Sequence, residues 1–176
     1  MRWSITLEIL QAKRACKEGI EAYLICCQGE PSLEFEDFTA LHQIWFASHF
    51  PSFSAWCRQN EVFPNVDLSD LDLSGLDLSN INLGGTVMQR CNLSGCNLTN
   101  ANLGCDLSGS DFSKTTLDSC NFFGANLDNT KFVEAEGIGA VFRNASMNRV
   151  DFTGCTRTSD WYYKDATGDS VPQGCE

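Results

Sequence analysis

From Val66 onward the chain repeats every five residues, a period that fits neither of the two common regular structures. Written in fives it reads VDLSD, LDLSG, LDLSN, INLGG, TVMQR, CNLSG, CNLTN and ANLG, where one residue is missing. It resumes as CDLSG, SDFSK, TTLDS, CNFFG, ANLDN, TKFVE, AEGIG, AVFRN, ASMNR and VDFTG. Gly137 is the one exception to a large apolar residue at the third position of these 18 units. The first position is mostly small, as at Cys91, Cys96, Ala101, Cys105, Ala125 and Ala140. The other positions are chiefly Asp, Asn, Ser, Thr and Gly. A helix needs apolar residues about 3.6 apart, and a flat strand needs alternation by two. The polar residue types also favour turns over helix. A chain that buries one large and one small side chain in every five must turn a corner in each repeat.

These units resemble the A(D/N)LXX repeats of the pentapeptide-repeat family. The resemblance implies a right-handed β-helix in which four repeats make one roughly square coil. The third residue then fills the axis and the first sits beside it. Eighteen units correspond to about 4.5 coils and, at about 4.8 Å per coil, to a rod of roughly 22 Å. The fold expected is mainly β: this β-helix over 63–156, a small α-helical domain over 1–62 capping the rod, and a C-terminal cap and frayed tail over 157–176.

Within the rod, Phe112, Phe122, Phe132, Phe142 and Phe152 recur every ten residues. On a square coil they would occupy opposite faces, alternating with Leu, Met or Gly to fill a core of fixed width. Gly137 would mark a gap or bulge, and the missing residue after Gly104 would distort one corner. Cys91, Cys96, Cys105, Cys120 and Cys155 fall at first positions, where cysteine packs as a small apolar residue.

The preceding segment has apolar residues at helical spacing over Ile5–Ala12, Glu18–Cys27, Phe38–Ser48 and Phe53–Gln59. Ser4 or Thr6 would cap the first helix, and Gly29 and Pro31 would end the second. Such a domain would blunt the strand-like end of a stacked coil. At the other end, Ser159–Tyr163 would cover the last coil, leaving the polar stretch Asp165–Glu176 frayed.

No residue pattern points to catalysis, a metal or a cofactor, and none is expected. His42, His49 and Cys57 have no ligand or nucleophile spacing. Asp67, Asp70, Asp72 and Asp77 lack the loop pattern of a calcium site. The sequons at Asn92, Asn97 and Asn144 are by-products of the repeat. Ten cysteines without a signal-peptide-like N-terminus read as reduced thiols, and no CxxC pair suggests zinc. A cytoplasmic location in a bacterial or phage-infected cell is expected.

Charge is more informative. The net charge is −11, which argues against direct binding to nucleic acid or to an anionic membrane. Residues 61–176 carry 16 acids and 7 bases, against 7 and 5 in residues 1–60. Sorting second positions by four places Asp67, Asp70, Asp72, Asp77, Asp106 and Asp111 toward an acidic edge in the early coils. Phe123, Val133 and Ile138 point outward later on, a candidate apolar contact patch.

Several family members are acidic DNA mimics, so the resemblance implies a non-enzymatic inhibitor that occupies the basic DNA-binding surface of a bacterial protein. The partner expected is a CRISPR effector subunit blocked by a phage or mobile-element counter-defence protein. DNA gyrase or another topoisomerase is the alternative, and a structural or interaction scaffold without mimicry is the competing class. The chain would be a monomer or weak dimer. Duplex DNA carries one charge per about 1.7 Å, so roughly 22 Å of it holds about 13. The repeats supply 11 acids and 5 bases, which suffices for one edge and not for the whole rod.

Overall fold

The computed structural model describes residues 3–6, 32–35, 44, 47, 59, 67–156 and 160–171. The chain divides into two compact units, Met1–Val66 and Asp67–Glu176.

The second unit is a β-helix. Second-position residues pair in parallel with those one coil on: Asp72 with Asn92, Asp77 with Asn97, and Asn82 with Asn102. The step is 20 residues, or four repeats. From Val87–Asp106 to Asn102–Asn121 it is 19, as the deletion after Gly104 requires, and it then returns to 20. Gly104 makes the tightened corner feasible, because a Cβ there would lie 2.6 Å from the carbonyl oxygen of Phe123.

Each corner is built from the polar residues. The Asp or Asn at the second position accepts a hydrogen bond from the backbone N–H two residues on, as in Ser69 N to Asp67 at 2.9 Å and Ser94 N to Asn92 at 3.1 Å. This local bond is what Asn and Asp offer a turn. The fifth residue then takes a left-handed backbone: Asn80, Asn100 and Asn129 have φ of 60°, 58° and 61°. Asn, Asp and Gly tolerate that conformation best. The turn closes with an N–H to C=O bond spanning three residues, such as Ala101 N to Leu98 O at 3.0 Å.

The interior follows the expected two columns. Leu83, Met88, Leu93, Leu98, Leu107 and Leu117 are fully buried at third positions. The phenylalanines form two stacks. Phe112, Phe132 and Phe152 stack at 4.9 and 5.4 Å, while Phe122 and Phe142 stack at 4.9 Å. Between the stacks the rings meet edge-on at 5.6 to 5.8 Å. Both geometries suit the ring quadrupole. Buried Cys91 and Cys96 direct their thiols to the carbonyls of Leu68 and Leu73 at 3.1 and 3.0 Å, and burial pushes both thiols up in pKa. All five cysteines of the rod are free.

The C-terminal end differs from expectation. Tyr162 pairs with Val141 and Thr167 with Ser146, each 21 residues on, so the coil continues to Ser170 instead of fraying from Asp165. Asp67, Val87, Asp106, Asn126, Ser146 and Thr167 follow one another up one face, giving five coil steps rather than about 4.5. The segment lacks the fivefold signature because aromatic residues replace the usual core. Tyr163 takes the axial place and stacks on Phe142 at 5.3 Å. Buried Trp161 donates its indole N–H to the carbonyl of Gly137 at 3.0 Å. Gly137 is no empty gap: its backbone lies so close to the coil below that a Cβ would sit 2.6 Å from the carbonyl carbon of Leu117.

The first unit carries a feature absent from the sequence reading. Strand β1 (Trp3–Thr6) pairs antiparallel with β2 (Ser32–Phe35), in the register Trp3 to Phe35 and Thr6 to Ser32. Ile5 and Thr6 are therefore extended, and neither Ser4 nor Thr6 caps a helix. Pairing with a segment nearly thirty residues away overrides weak local helical periodicity. Ile44 and Ala47 are helical and buried, and Gln59 is helical and exposed. The rest of the four expected helices lies outside the described residues, as do His42, His49 and Cys57.

Candidate functional site

The rod has four faces, defined by their second-position columns. The first runs Asp67, Val87, Asp106, Asn126, Ser146, Thr167, and the second runs Asp72, Asn92, Asp111, Lys131, Asp151. The third is Asp77, Asn97, Thr116, Glu136, and the fourth is Asn82, Asn102, Asn121, Val141, Tyr162.

This arrangement divides the expected acidic edge. Asp67 and Asp106 lie on the first face, two coil steps apart, and Asp72 and Asp111 lie likewise on the second. Asp70 sits at the corner where these faces meet. Asp77 lies on the third face and does not join them. Asp70 is also not a free charge. Arg90, one coil on, grips it with a two-pronged contact, Nε and Nη2 each 2.8 Å from a carboxylate oxygen. Planar guanidinium and carboxylate match in this way, although both side chains are exposed.

The remaining carboxylates are fixed by the corners they build. Hydrogen bonds from the hydroxyl and amide of Ser69 hold Asp67 below the usual carboxylate range. Ser74 does the same for Asp72, and the amide and hydroxyl of Ser79 for Asp77. For Asp106, burial opposes ionisation, but bonds from Gln89, Ser108 and Asn126 outweigh it and keep the carboxyl low. Gln89 Nε2 is 2.7 Å away. Asp111 accepts from Ser113 N at 2.8 Å. Neighbouring coils add amide rungs, with Asn92 donating to Asp72 at 3.0 Å and Asn97 to Asp77 at 3.1 Å.

The same corner holds two acids that the sequence reading passed over. Asp128 accepts from Asn148 N at 3.0 Å and Ser146 Oγ at 2.8 Å, and Asp169 accepts from Arg149 N at 2.6 Å. Both occupy fourth positions in the column Ser69, Gln89, Ser108, Asp128, Asn148, Asp169. Sorting the fourth positions by four, as was done for the second, would have found Asp128.

The candidate apolar patch also divides. Val133, half-buried, lies at the corner between the second and third faces. Ile138 lies between the third and fourth, and Phe123 between the fourth and first. Val133 is thus a full face away from Ile138. The residues that do lie between Ile138 and Phe123 are Val141 and Tyr162.

Among the described residues, no group of three or more His, Cys, Asp or Glu is placed to hold a metal ion.

The repeats have a known relative at the level of sequence. The family model described as Pentapeptide repeats (8 copies) matches residues 66–103, 104–130 and 120–156, more than half of the chain. The chain belongs to the pentapeptide-repeat family. Members of this family fold as right-handed β-helices and are generally non-catalytic structural or interaction proteins. Solved pentapeptide-repeat structures resemble the chain. One, from the Arabidopsis thaliana thylakoid lumen, is 25% identical over 62% of this chain and 73% of its own, with a TM-score of 0.42. HetL of Nostoc, involved in regulating heterocyst differentiation, is 20% identical over 58% of this chain and 53% of its own, with a TM-score of 0.28. QnrB1, a plasmid-mediated fluoroquinolone resistance protein, is 16% identical over 61% of this chain and 65% of its own, with a TM-score of 0.29. No curated protein sequence gives a significant match.

Proposed function

We propose that this pentapeptide-repeat chain is a non-enzymatic inhibitor that presents an acidic corner to the basic DNA-binding surface of a bacterial protein. The observation that carries this reading is the set Asp67, Asp72, Asp106 and Asp111. These four carboxylates lie on two adjacent faces of one rigid ladder, each fixed by a backbone N–H. Fixed charges need no reordering on binding, so little conformational entropy is lost. A basic groove built for phosphates would attract them by long-range steering.

Magnitude limits the mimicry to one side of the rod. Five coil steps span about 24 Å, in which duplex DNA carries about 14 charges. Residues 67–171 carry 14 acids and 7 bases, about half that density as a net charge. The favoured target is a CRISPR effector complex blocked in the cytoplasm of a phage-infected cell, and gyrase is the alternative. The scaffold reading draws support from the same hydrogen bonds, since they give each carboxylate a structural use without any partner.

The experiment is capture from a bacterial lysate followed by elution with duplex DNA. Release of the captured protein by duplex, and its DNA binding once freed, support mimicry. A partner that stays bound in excess duplex contradicts it and leaves the scaffold reading.

A further inference from the structure

The fourth face is the chemical opposite of the acidic corner, and we propose that it docks a second partner: an acidic protein segment anchored by an aromatic side chain. Its column contains no acid: Asn82, Asn102, Asn121, Val141 and Tyr162. Tyr162 stands directly over Val141 and is 59% exposed, while Ile138 and Phe123 flank the face at 47% and 51%. These are large apolar side chains in water, gathered on the upper half of one face. Single exposed apolar residues mean little, but a group of them marks a contact surface.

The charge beside the group names the occupant. The corner column next to Tyr162 runs Phe123, Arg143, Lys164, as the bonds Gly124 N to Arg143 O and Asn144 N to Lys164 O establish. Arg143 and Lys164 are exposed and stand one coil apart, about 4.8 Å along the axis. Like charges at that spacing repel. Elsewhere the rod pairs its cations across coils, Arg90 with Asp70 and Lys114 with Glu134. Among the described residues, Arg143 and Lys164 form no ion pair; the nearest acid in sequence is Asp165. Two uncompensated cations beside exposed Tyr and Phe rings fit carboxylates flanking an aromatic anchor. Screening makes the site local. At physiological ionic strength the Debye length is about 8 Å, so a ligand on this corner feels Arg143 and Lys164 more than the carboxylates across the rod.

The test uses the full chain, labelled for amide NMR, and three probes. These are a short peptide with glutamates flanking one tryptophan, its counterpart with lysines, and single-stranded oligothymidylate. The glutamate peptide is expected to shift the amides of 141–144 and 162–165 saturably. Arg143→Gln with Lys164→Gln should weaken it about tenfold, the scale of losing two exposed ion pairs. Tyr162→Ser should weaken it separately while leaving the Arg143 and Lys164 charges in place. Absence of shifts on this face, or equal binding of the lysine peptide, overturns the proposal. Preferential binding of oligothymidylate would assign the face to nucleic acid and also overturns it. So does a concentration-dependent dimer dissolved by Tyr162→Ser, which would give the face to a second copy. None of these outcomes depends on Asp67, Asp72, Asp106 or Asp111.

Discussion

Single residues in this rod are chosen by backbone geometry as much as by side-chain chemistry. Eleven non-glycine residues have positive φ, and they include Arg90, Lys114, Ser119, Glu134 and Arg149. Those side chains gain nothing from the left-handed region and cost about 1 kcal/mol each to hold there. Ser119, with φ of 53°, is exposed. Ser119→Gly is expected to raise stability by about 0.5 kcal/mol, the relief of strain less the added entropy of the unfolded chain. Equilibrium urea unfolding measures this, and a loss of stability would show that the corner does not carry the strain. The corner carboxylates make a second prediction. Asp67, Asp72 and Asp77 have folded pKa values below the ordinary 3.8. Their contribution is present above that value and disappears as pH falls through the depressed folded pKa. The thermal midpoint should hold from pH 7 to about 5 and drop below about 4. Replacing all three by Asn, which keeps the acceptor oxygen, should flatten the drop.

At the scale of the element, one coil is read almost directly from the sequence. The fivefold period, the large third position and the small first position reflect a core of constant width, so they repeat wherever the coil is regular. The face assignments of Asp67, Asp72, Asp77 and Asn82 follow from counting by four and agree with the bridges. The last coil was not legible, because Trp161 and Tyr163 build its core from outside the repeat pattern and their 21-residue step hides the period. The pairing of β1 with β2 was hidden for another reason: strand partners distant in sequence leave no local mark. The acidic site was half legible. Counting by four places each aspartate, but only the contact shows that Arg90 reaches Asp70, as side-chain reach is no part of a period. The phenylalanine stacks supply an element-scale prediction. Phe132 is fully buried between Phe112 and Phe152. Phe132→Ala should cost about 3–5 kcal/mol, read by urea unfolding. A cost below about 1 kcal/mol would mean that the two stacks do not hold the coils in register.

For the whole molecule, the rod is two-sided. Its first corner carries carboxylates held ionised on a fixed ladder, while its fourth face carries exposed apolar groups and two unpaired cations. The acid needed for the corner's hydrogen bonds is only partly an acid's job, since Asn92 and Asn97 build the same turns without charge. That equivalence allows charge to be separated from fold. The most direct measurement compares the native chain with the quadruple replacement of Asp67, Asp72, Asp106 and Asp111 by Asn. Each is matched by circular dichroism and titrated, at several salt concentrations, against the DNA-binding protein that the native chain captures. The account predicts an unchanged fold, at least about tenfold weaker binding, and a shallower dependence of affinity on salt. Equal affinity and an equal salt slope in the quadruple variant would contradict it.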